Sequence, residues 1–339
     1  GLFDRFTGTI EYFKKDSKDL LFDVSQPASV GVTSIIQNIG KVTNSGVEIE
    51  LDYNAFKNKD WSVSVGANAT FVKNKIKNLP ATMKENGYIS GSKKWLEGKS
   101  IYEFWLRQWH GVDPQTGDGL YVADVSKYNQ GNIGTGDGNI TQSQFDEYKK
   151  TVVTIDGKEL TNSYTYAKYD FSGSSIPDVY GGFNVRVSYK NFDLAAVFSY
   201  QLGGQILDTN YATMMSMTEF GYAQSPDLLK AWKQAGDITE VPRIDNSAAH
   251  TTNIGQSYST RWLTSSDYLN LRSVTIGYQL PKTWLSKVML KSARLNLTAE
   301  NLFMLKARQG LNPMANYSGV TYNEYMPSRN ITLGLNVSF

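Results

Sequence analysis

The sequence predicts an all-β chain: the wall of a transmembrane antiparallel β-barrel, about nine or ten strands of it, with long extracellular loops carrying short helices. Three observations predict this. Stretches of about 9 to 12 residues alternate apolar and polar side chains, the length of a tilted strand crossing a bilayer. Aromatic residues stand at the ends of those stretches, as Tyr53, Trp61, Phe71, Tyr189, Tyr200, Tyr278 and Phe339 do. The links between stretches are some of them tight and some very long.

The strands follow in order. "SGVEIELDY" carries Val47, Ile49, Leu51 and Tyr53 at period two. "DWSVSVGANATFV" carries Trp61, Val63, Val65, Ala67, Ala69 and Phe71 against serine, glycine, asparagine and threonine. "GGFNVRVSY" gives Phe183, Val185, Val187 and Tyr189, and "DLAAVFSY" gives Leu194, Ala196, Phe198 and Tyr200. "RSVTIGYQL" gives Val274, Ile276, Tyr278 and Leu280; "ARLNLTAENL" gives Ala293, Leu295, Leu297 and Ala299. "NITLGLNVSF" ends with Ile331, Leu333, Leu335, Val337 and Phe339. Successive side chains of a strand face opposite sides, so each stretch has one apolar and one wet face. A soluble sandwich turns the apolar face inward, and a membrane barrel turns it to lipid. Period alone gives no direction; strand length, terminal aromatics and link lengths favour lipid.

The tight links are the turns at Lys190-Asn191 and within "AFKNKDW", 55 to 61. The long links cover about 72–100, 110–180, 201–260 and 303–329, rich in Gly, Asn, Asp and Ser. They are too long for structureless loops of a compact soluble domain. Two carry helix signals. "SPDLLKAWKQAG" offers Ser225 as N-cap, Pro226 at the first helical position and Gly236 as the stop. "TQSQFDEYKK" sets Thr141 and Gln144 in capping-box spacing.

Composition excludes several function classes. Lys and Arg number 34 against 32 acids, a net charge of +2, so nothing draws this chain to nucleic acid. Cysteine is absent, which removes disulfides and thiolate metal sites. No apolar run is long enough for a transmembrane helix. "GLFDRFTGTIEYF" shows no basic start, apolar stretch or cleavage site, so the expectation is a leader already removed or an internal piece of a longer protein.

Catalytic signals are poor. The histidines, His110 and His250, lie far apart, and no Gly-x-Ser-x-Gly elbow exists. "GNIGTGDGNIT", 131 to 141, lacks the Lys-Ser/Thr of a phosphate loop and the strand-to-helix setting of a dinucleotide site. Asp113, Asp118 and Asp137 are candidates to share a hard cation, against the commoner use of Asp-Gly in turns. No enzyme activity, cofactor or metal is expected. The loop aromatics are the better candidates: Trp95, Trp105, Trp109, Tyr121, Trp232 and Trp262 fall in or beside the long links. A flat ring stacks on a sugar or holds a peptide side chain at little entropic cost, and the competing reading is loop packing. Arg107, Arg186 and Arg261 could orient polar ligands from the lumen, or form ordinary charge pairs.

Several segments, in order, resemble one family. They are "FTGTIEYFKKDSKDLLF" (6–22), "NIGKVTNSGVEIEL" (38–51), "WHGVDPQTGDGLY" (109–121), "IPDVYGGFNVRVSYKNFDLAAVFSYQLGGQI" (176–206), "SSDYLNLRSVTIGYQLP" (265–281), "RLNLTAENLF" (294–303) and "MPSRNITLGLNVSF" (326–339). The chain resembles the C-terminal half of SusC/RagA-type TonB-dependent outer-membrane transporters. The resemblance implies part of a roughly 22-stranded barrel, with plug and N-terminal domains outside this chain. It implies TonB-dependent import of oligosaccharides, or of oligopeptides as the next choice. The implied partners are a SusD-like lipoprotein lid over the loops, the TonB–ExbB–ExbD complex through an N-terminal region, outer-membrane lipid, and the barrel assembly machinery, which would read Phe339 as an assembly signal. For "SSDYLNLRSVTIGY" it implies a structural role in fixing loop to strand. Two rivals stand beside it: a passive porin or adhesin-type barrel, and a secreted β-sandwich.

Overall fold

The alternating stretches become the strands of one nine-stranded antiparallel sheet in the computed structural model. It describes residues 5–25, 34–136, 138–216, 221, 223–245, 247, 250, 254–255, 258–286, 289–322 and 325–339. The strands are β1 (Phe6–Ser25), β2 (Ser34–Lys57), β3 (Trp61–Asn78), β4 (Val179–Tyr189), β5 (Phe192–Leu202), β6 (Tyr268–Gln279), β7 (Ser292–Glu300), β8 (Met304–Lys306) and β9 (Asn330–Ser338). Their order is β1-β2-β3-β4-β5-β6-β7-β9, with the short β8 paired to β6 beyond the end of β7. Strand β2 runs well past both ends of "SGVEIELDY", and β3 continues to Asn78 where the alternation of sequence had faded at Val72.

Link lengths sort by end. Three links close one end: 58–60, 190–191, and 280–291, which holds the short helix Lys282–Leu285. In the first, the Asn58 side-chain oxygen accepts from the amides of Asp60 (2.9 Å) and Trp61 (2.7 Å). In the second, Lys190 takes a left-handed φ of 51°. The other end carries the connections 79–178 and 203–267, and the segment 307–329 that leads from β8 to β9.

Register makes the faces continuous. Directly opposed residues of antiparallel strands share a face. One row runs Tyr53–Val65–Val185–Ala196–Val274–Ala299–Ile331 across seven strands. The next runs Val63–Val187–Leu194–Ile276–Leu297–Leu333. Below it, at the short-turn end, lies the row Trp61–Tyr189–Phe192–Tyr278–Leu295–Leu335. Its rings pair at 4.3 Å between centroids, Trp61 with Tyr189 and Phe192 with Tyr278. Ile276, Leu297, Leu333 and Phe192 of these rows are exposed. The opposite face is polar: Thr275 and Thr298 hydroxyls bond at 3.0 Å, Asn336 donates to Asn296 at 3.1 Å, and Arg294 pairs with Asp193 at 2.6 Å. An apolar outside and a wet inside is the arrangement of a barrel wall in lipid. The eleven residues of β4, at ~3.3 Å each and tilted by ~45°, rise ~25 Å, the height of the hydrocarbon band.

Two local devices shape the wall. A Cβ on Gly181 would stand 2.1 Å from the Asn68 carbonyl oxygen, so only glycine lets β4 approach β3 there. Tyr200, opposite Gly181, donates its hydroxyl to that same oxygen at 3.0 Å. A bulge shifts the β5–β6 register between Val197 and Phe198, with Arg272 as the extra residue. It returns Leu271 and Leu269 to the outward side, which strict alternation from Val274 would have denied them. Within "SSDYLNLRSVTIGY" the Leu271 amide donates to the Phe303 carbonyl at 3.1 Å, tying strand to loop.

The long links fold on themselves. Residues 88–90, 93–95, 103–107 and 169–174 form one four-stranded sheet; 109–112, 119–122, 152–155 and 158–161 form another. Residues 205–207 pair with 263–265. Phe104, Leu106, Leu207, Trp262 and Val320 join three links in one buried cluster. Tyr128, Tyr148 and Tyr166 make a second, and Val42, Ile76, Leu79 and Met83 a third. The capping box appears as expected: Thr141 accepts from Gln144 and starts the helix Gln142–Thr151. The helix expected from Ser225 to Gly236 is corrected to a single 3₁₀ turn, Pro226–Lys230, capped by Ser225. Ala231 leaves helical geometry, at ψ 146°, and the Trp232 amide bonds to the Val241 carbonyl at 3.0 Å instead of continuing a helix.

Candidate functional site

Strand 103–107 explains why several candidates cluster. Its even residues, Phe104 and Leu106, are buried in the loop core. Its odd residues therefore line up on the other face: Glu103, Trp105 and Arg107, all partly exposed. Strand 169–174 pairs with it and brings Tyr169 opposite Arg107 and Phe171 opposite Trp105. The Trp105 and Tyr169 rings lie nearly parallel at 6.2 Å, and Phe171 meets Trp105 edge-on at 4.9 Å. Cations alternate with the rings. Lys94 sits 4.1 Å from the Trp105 centroid, and Arg107 lies 4.7 Å from that of Tyr169 and 4.9 Å from that of Tyr164. Arg107 Nε donates to the Tyr164 carbonyl at 3.0 Å, which fixes the guanidinium plane.

A second group adjoins it. The Arg107 amide donates to the Tyr258 carbonyl at 3.3 Å, and the Trp109 amide to Thr260 Oγ1 at 2.9 Å. Arg261 is thereby laid between two indoles, 4.7 Å from Trp109 and 4.3 Å from Trp262. Nη1 of Arg261 donates to the Ile254 carbonyl at 3.1 Å. Burial lowers the Arg261 guanidinium to about 10, the phenols of Tyr121 and Tyr211 acting the other way, so it stays charged at neutral pH. Burial raises the Tyr121 hydroxyl, with Arg261 and Arg107 opposing.

Six of the eight candidate contact residues thus fall in one network: Trp105, Arg107, Trp109, Tyr121, Arg261 and Trp262. They divide by burial. Tyr121 and Trp262 are sealed, at 0% and 2% exposure, and hold the loops together. Trp105, Arg107 and Trp109 are partly exposed. Trp95 and Trp232 lie elsewhere. Trp95 Nε1 donates to the Ile101 carbonyl at 3.1 Å beside the third core cluster. Trp232 Nε1 donates to the Pro114 carbonyl at 2.9 Å and covers the turn 113–118. Arg186 is on the polar face of β4, opposite Ser64 and Ala195. Phe339 follows β9 and is exposed.

The acids of the "DPQTGDG" turn are engaged in turn chemistry. Asp113 accepts from the Gln115 amide (2.8 Å) and the Thr116 hydroxyl (3.0 Å), and Asp118 pairs with Arg243 at 3.1 Å. Among the described residues no cluster of three or more His, Cys or acids is arranged to hold a metal ion. Asp137 lies outside the described residues.

Sequence reasoning missed Lys94, Tyr164, Tyr169 and Phe171; the alternation in "YDFSGS" was the available signal. It also missed Asp208, which is 4% exposed. Its carboxylate accepts from Arg308 (3.0 Å), the Tyr211 amide (3.0 Å) and Thr321 (3.2 Å). Arg308 in turn lies 3.6 Å over the Tyr211 ring. Thr209 and Asn210 donate to the carbonyls of Thr321 and Tyr322, so two links are knotted together.

An antiparallel wall with an apolar exterior, a polar interior and structured links at one end defines a segment of an outer-membrane-type β-barrel. Comparison with known proteins gives the kind. No family model matches the chain. It is 28% identical over 357 residues, covering 100% of the chain, to TonB-dependent receptor P3 of Formosa agariphila, and covers 33% of that protein. It is 24% identical to TonB-dependent receptor SusC of Bacteroides thetaiotaomicron, over 99% of the chain and 30% of that protein. In structure it matches the RagAB peptide transporter at TM-score 0.75, with 24% identity, over 99% of this chain and 34% of that one. The closed-closed state of the RagAB peptide importer matches at TM-score 0.75 with 25% identity. The resemblance to SusC/RagA-type transporters therefore extends along the whole chain, which spans about a third of the length of these relatives.

Proposed function

We propose that this chain is the C-terminal wall and loop layer of a TonB-dependent outer-membrane importer, working beneath a SusD-like surface lipoprotein. The observation that carries the reading is the unbroken outward apolar register over the sheet, joined at one end to loops that display the Trp105–Tyr169–Arg107 ladder. The wall holds the lumen, and the ladder meets ligand captured under the lid. TonB, acting on a plug outside this chain, supplies the work. Ligand-biased movement of the lid is a hinge transition between open and closed populations. No bond of the ligand is broken in this reading.

Oligosaccharide is the first choice of cargo, because flat, partly exposed rings suit the apolar faces of sugars. Oligopeptide is the second reading, and the similarity to the RagAB peptide transporter favours it. The test uses cells making the full-length protein with its lid lipoprotein, fed labelled oligosaccharides or oligopeptides. Uptake of one class that stops when TonB is removed, and falls about fivefold in Trp105→Ala as one ring–ligand contact of ~1 kcal/mol is lost, is expected. Steady ion conductance by the purified full-length protein without TonB would instead make it a passive pore.

A further inference from the structure

The outer face of β1, β2 and β3 changes character above its apolar rows. Tyr12, Val47 and Phe71 stand side by side in the last apolar row. In the next row Lys14 opposes Ser45, which opposes Lys73; in the row above, Asp16 opposes Thr43, which opposes Lys75. Lys73 and Lys75 share a face with Phe71, because β3 alternates without interruption here. The other face of β3 is filled: Asn74 Oδ1 accepts from the Ser100 hydroxyl and the Ile101 amide, both at 3.0 Å. Lys14, Lys73 and Lys75 are exposed.

A notch of about 650 Å³ opens beside them. It exists because β4 pairs with β3 only as far as Thr70, while β3 runs on to Asn78. The vacated edge takes a loop backbone instead, the Ile76 amide donating to the Lys99 carbonyl at 2.8 Å. Tyr12, Val47 and Phe71 line the notch at its apolar end, and Lys73, Lys75 and Lys99 at its charged end. Of the acids nearby, Asp16 is held by Lys41 at 3.1 Å and Thr43 at 2.6 Å, and Glu103 and Asp178 line the notch. Among the described residues no ion pair engages Lys14, Lys73 or Lys75.

We propose that this notch binds an anionic lipid of the surrounding leaflet, its phosphate on Lys73 and Lys75 in the notch and on Lys14, which stands outside it opposite the lining residue Ser45, and one acyl chain on Tyr12, Val47 and Phe71. The inference rests on the membrane reading above. In that frame the lysine rows stand ~7 to 13 Å beyond the last apolar row along the strand, at headgroup depth. Three ammonium groups over an apolar floor match a headgroup in charge and its chain in polarity. Lysine suits this use because its flexible stem carries a compact charge to wherever the phosphate sits.

The test places the purified full-length protein in phosphatidylcholine nanodiscs and titrates in bis-phosphorylated lipid A, read by native mass spectrometry. Wild type is expected to retain the phosphorylated lipid. The K14Q/K73Q/K75Q variant should bind it at least about tenfold more weakly, each lysine near a membrane surface supplying roughly that order of attraction. The triple Lys→Arg variant should bind as wild type does, and so should Lys59→Gln in the turn 58–60. Equal retention by the glutamine variant, equal retention of dephosphorylated lipid A by wild type, or displacement by inorganic phosphate at matched concentration overturns the lipid site while leaving the barrel intact. Failure of wild type to enter the disc removes the membrane reading, and the site with it.

Discussion

Lys93 is a charged residue folded against its nature. It is 9% exposed, donates to the Tyr102 carbonyl at 2.9 Å and stands 3.1 Å from the Phe104 ring centre. Burial lowers its ammonium to about 7, with Glu103 pulling it upward. Between about 7 and the ordinary value of 10.5, the unfolded chain keeps a proton that the folded chain has released. The stability of the sheet around Phe104 therefore rises as pH climbs through that window, and the cost of burial is fully present below it. Hydrogen exchange at the Phe104 and Trp105 amides, compared at pH 6 and pH 9 after correction for intrinsic rates, should show protection gained at the higher pH. Lys93→Met should flatten that response, and an unchanged response in the variant would count against the assignment. Gly117 makes the second residue-scale prediction. Its φ is +73°, and an added Cβ would meet the Trp232 ring at 2.4 Å. Gly117→Ala should cost about 1–3 kcal/mol locally, since left-handed strain and a clash fall on one residue. Faster limited proteolysis within 113–118 is the expected readout, and wild-type resistance would refute it.

At the scale of elements, the Asp208–Arg308 pair decides whether the loops act as one body. Asp208 caps the short helix Thr209–Met214 through the Tyr211 amide and also receives Arg308 from the 307–329 segment. Only the Asp208 end of the pair is buried; deleting it removes its bonds to Arg308, the Tyr211 amide and Thr321 and leaves Arg308 partly in solvent, at a cost of about 1–3 kcal/mol. Asp208→Ala should therefore release residues 301–322 to protease, and adding Arg308→Met should restore part of the resistance. Strictly additive losses would show that the two side chains are not coupled. The same pair marks the border of what sequence could reveal. Strands β2 to β7 and β9 were legible because each presents an alternation of about seven residues or more, and the turns at Asn58 and Lys190 because they interrupt it. The capping box at Thr141 was legible because both partners lie within one turn. Loop strands such as 88–90 and 93–95 have three residues each, too few to show a period. Asp208 and Arg308 are 100 positions apart, and nothing local in either announces the other. Tyr121 and Trp262 look like every other loop aromatic in sequence; only their burial, Trp262 in the core that joins three links and Tyr121 edge-on against Trp109, separates holding residues from displayed ones.

For the molecule as a whole, the wall folds in a membrane with its apolar face to lipid, and two neighbours on β4, followed in the membrane fraction, test this. Val185 lies in the row Tyr53–Val65–Val185–Ala196, about midway along the strand and on the apolar side. Asn184 is the next residue, on the face that carries Arg186 and pairs with Gly66 and Val197. If the apolar face meets hydrocarbon, Val185→Arg places a guanidinium near the middle of the bilayer, at a cost of about 2–4 kcal/mol. Asn184→Arg places the same group on the wet side, where the native sequence already keeps an arginine two residues on, and should cost far less. In a soluble sandwich the same order holds, because the apolar face is then the dry core and the polar face is solvent; what differs is the compartment, since the sandwich folds in buffer with no membrane present. The measurement is folded, heat-modifiable protein in the outer-membrane fraction for each variant of the full-length protein. A large loss for Val185→Arg with near-normal levels for Asn184→Arg fits a wall in lipid. Equal levels of the two would break the link between the register rows and the bilayer. Recovery of either variant, folded, from buffer without detergent would break the membrane reading itself.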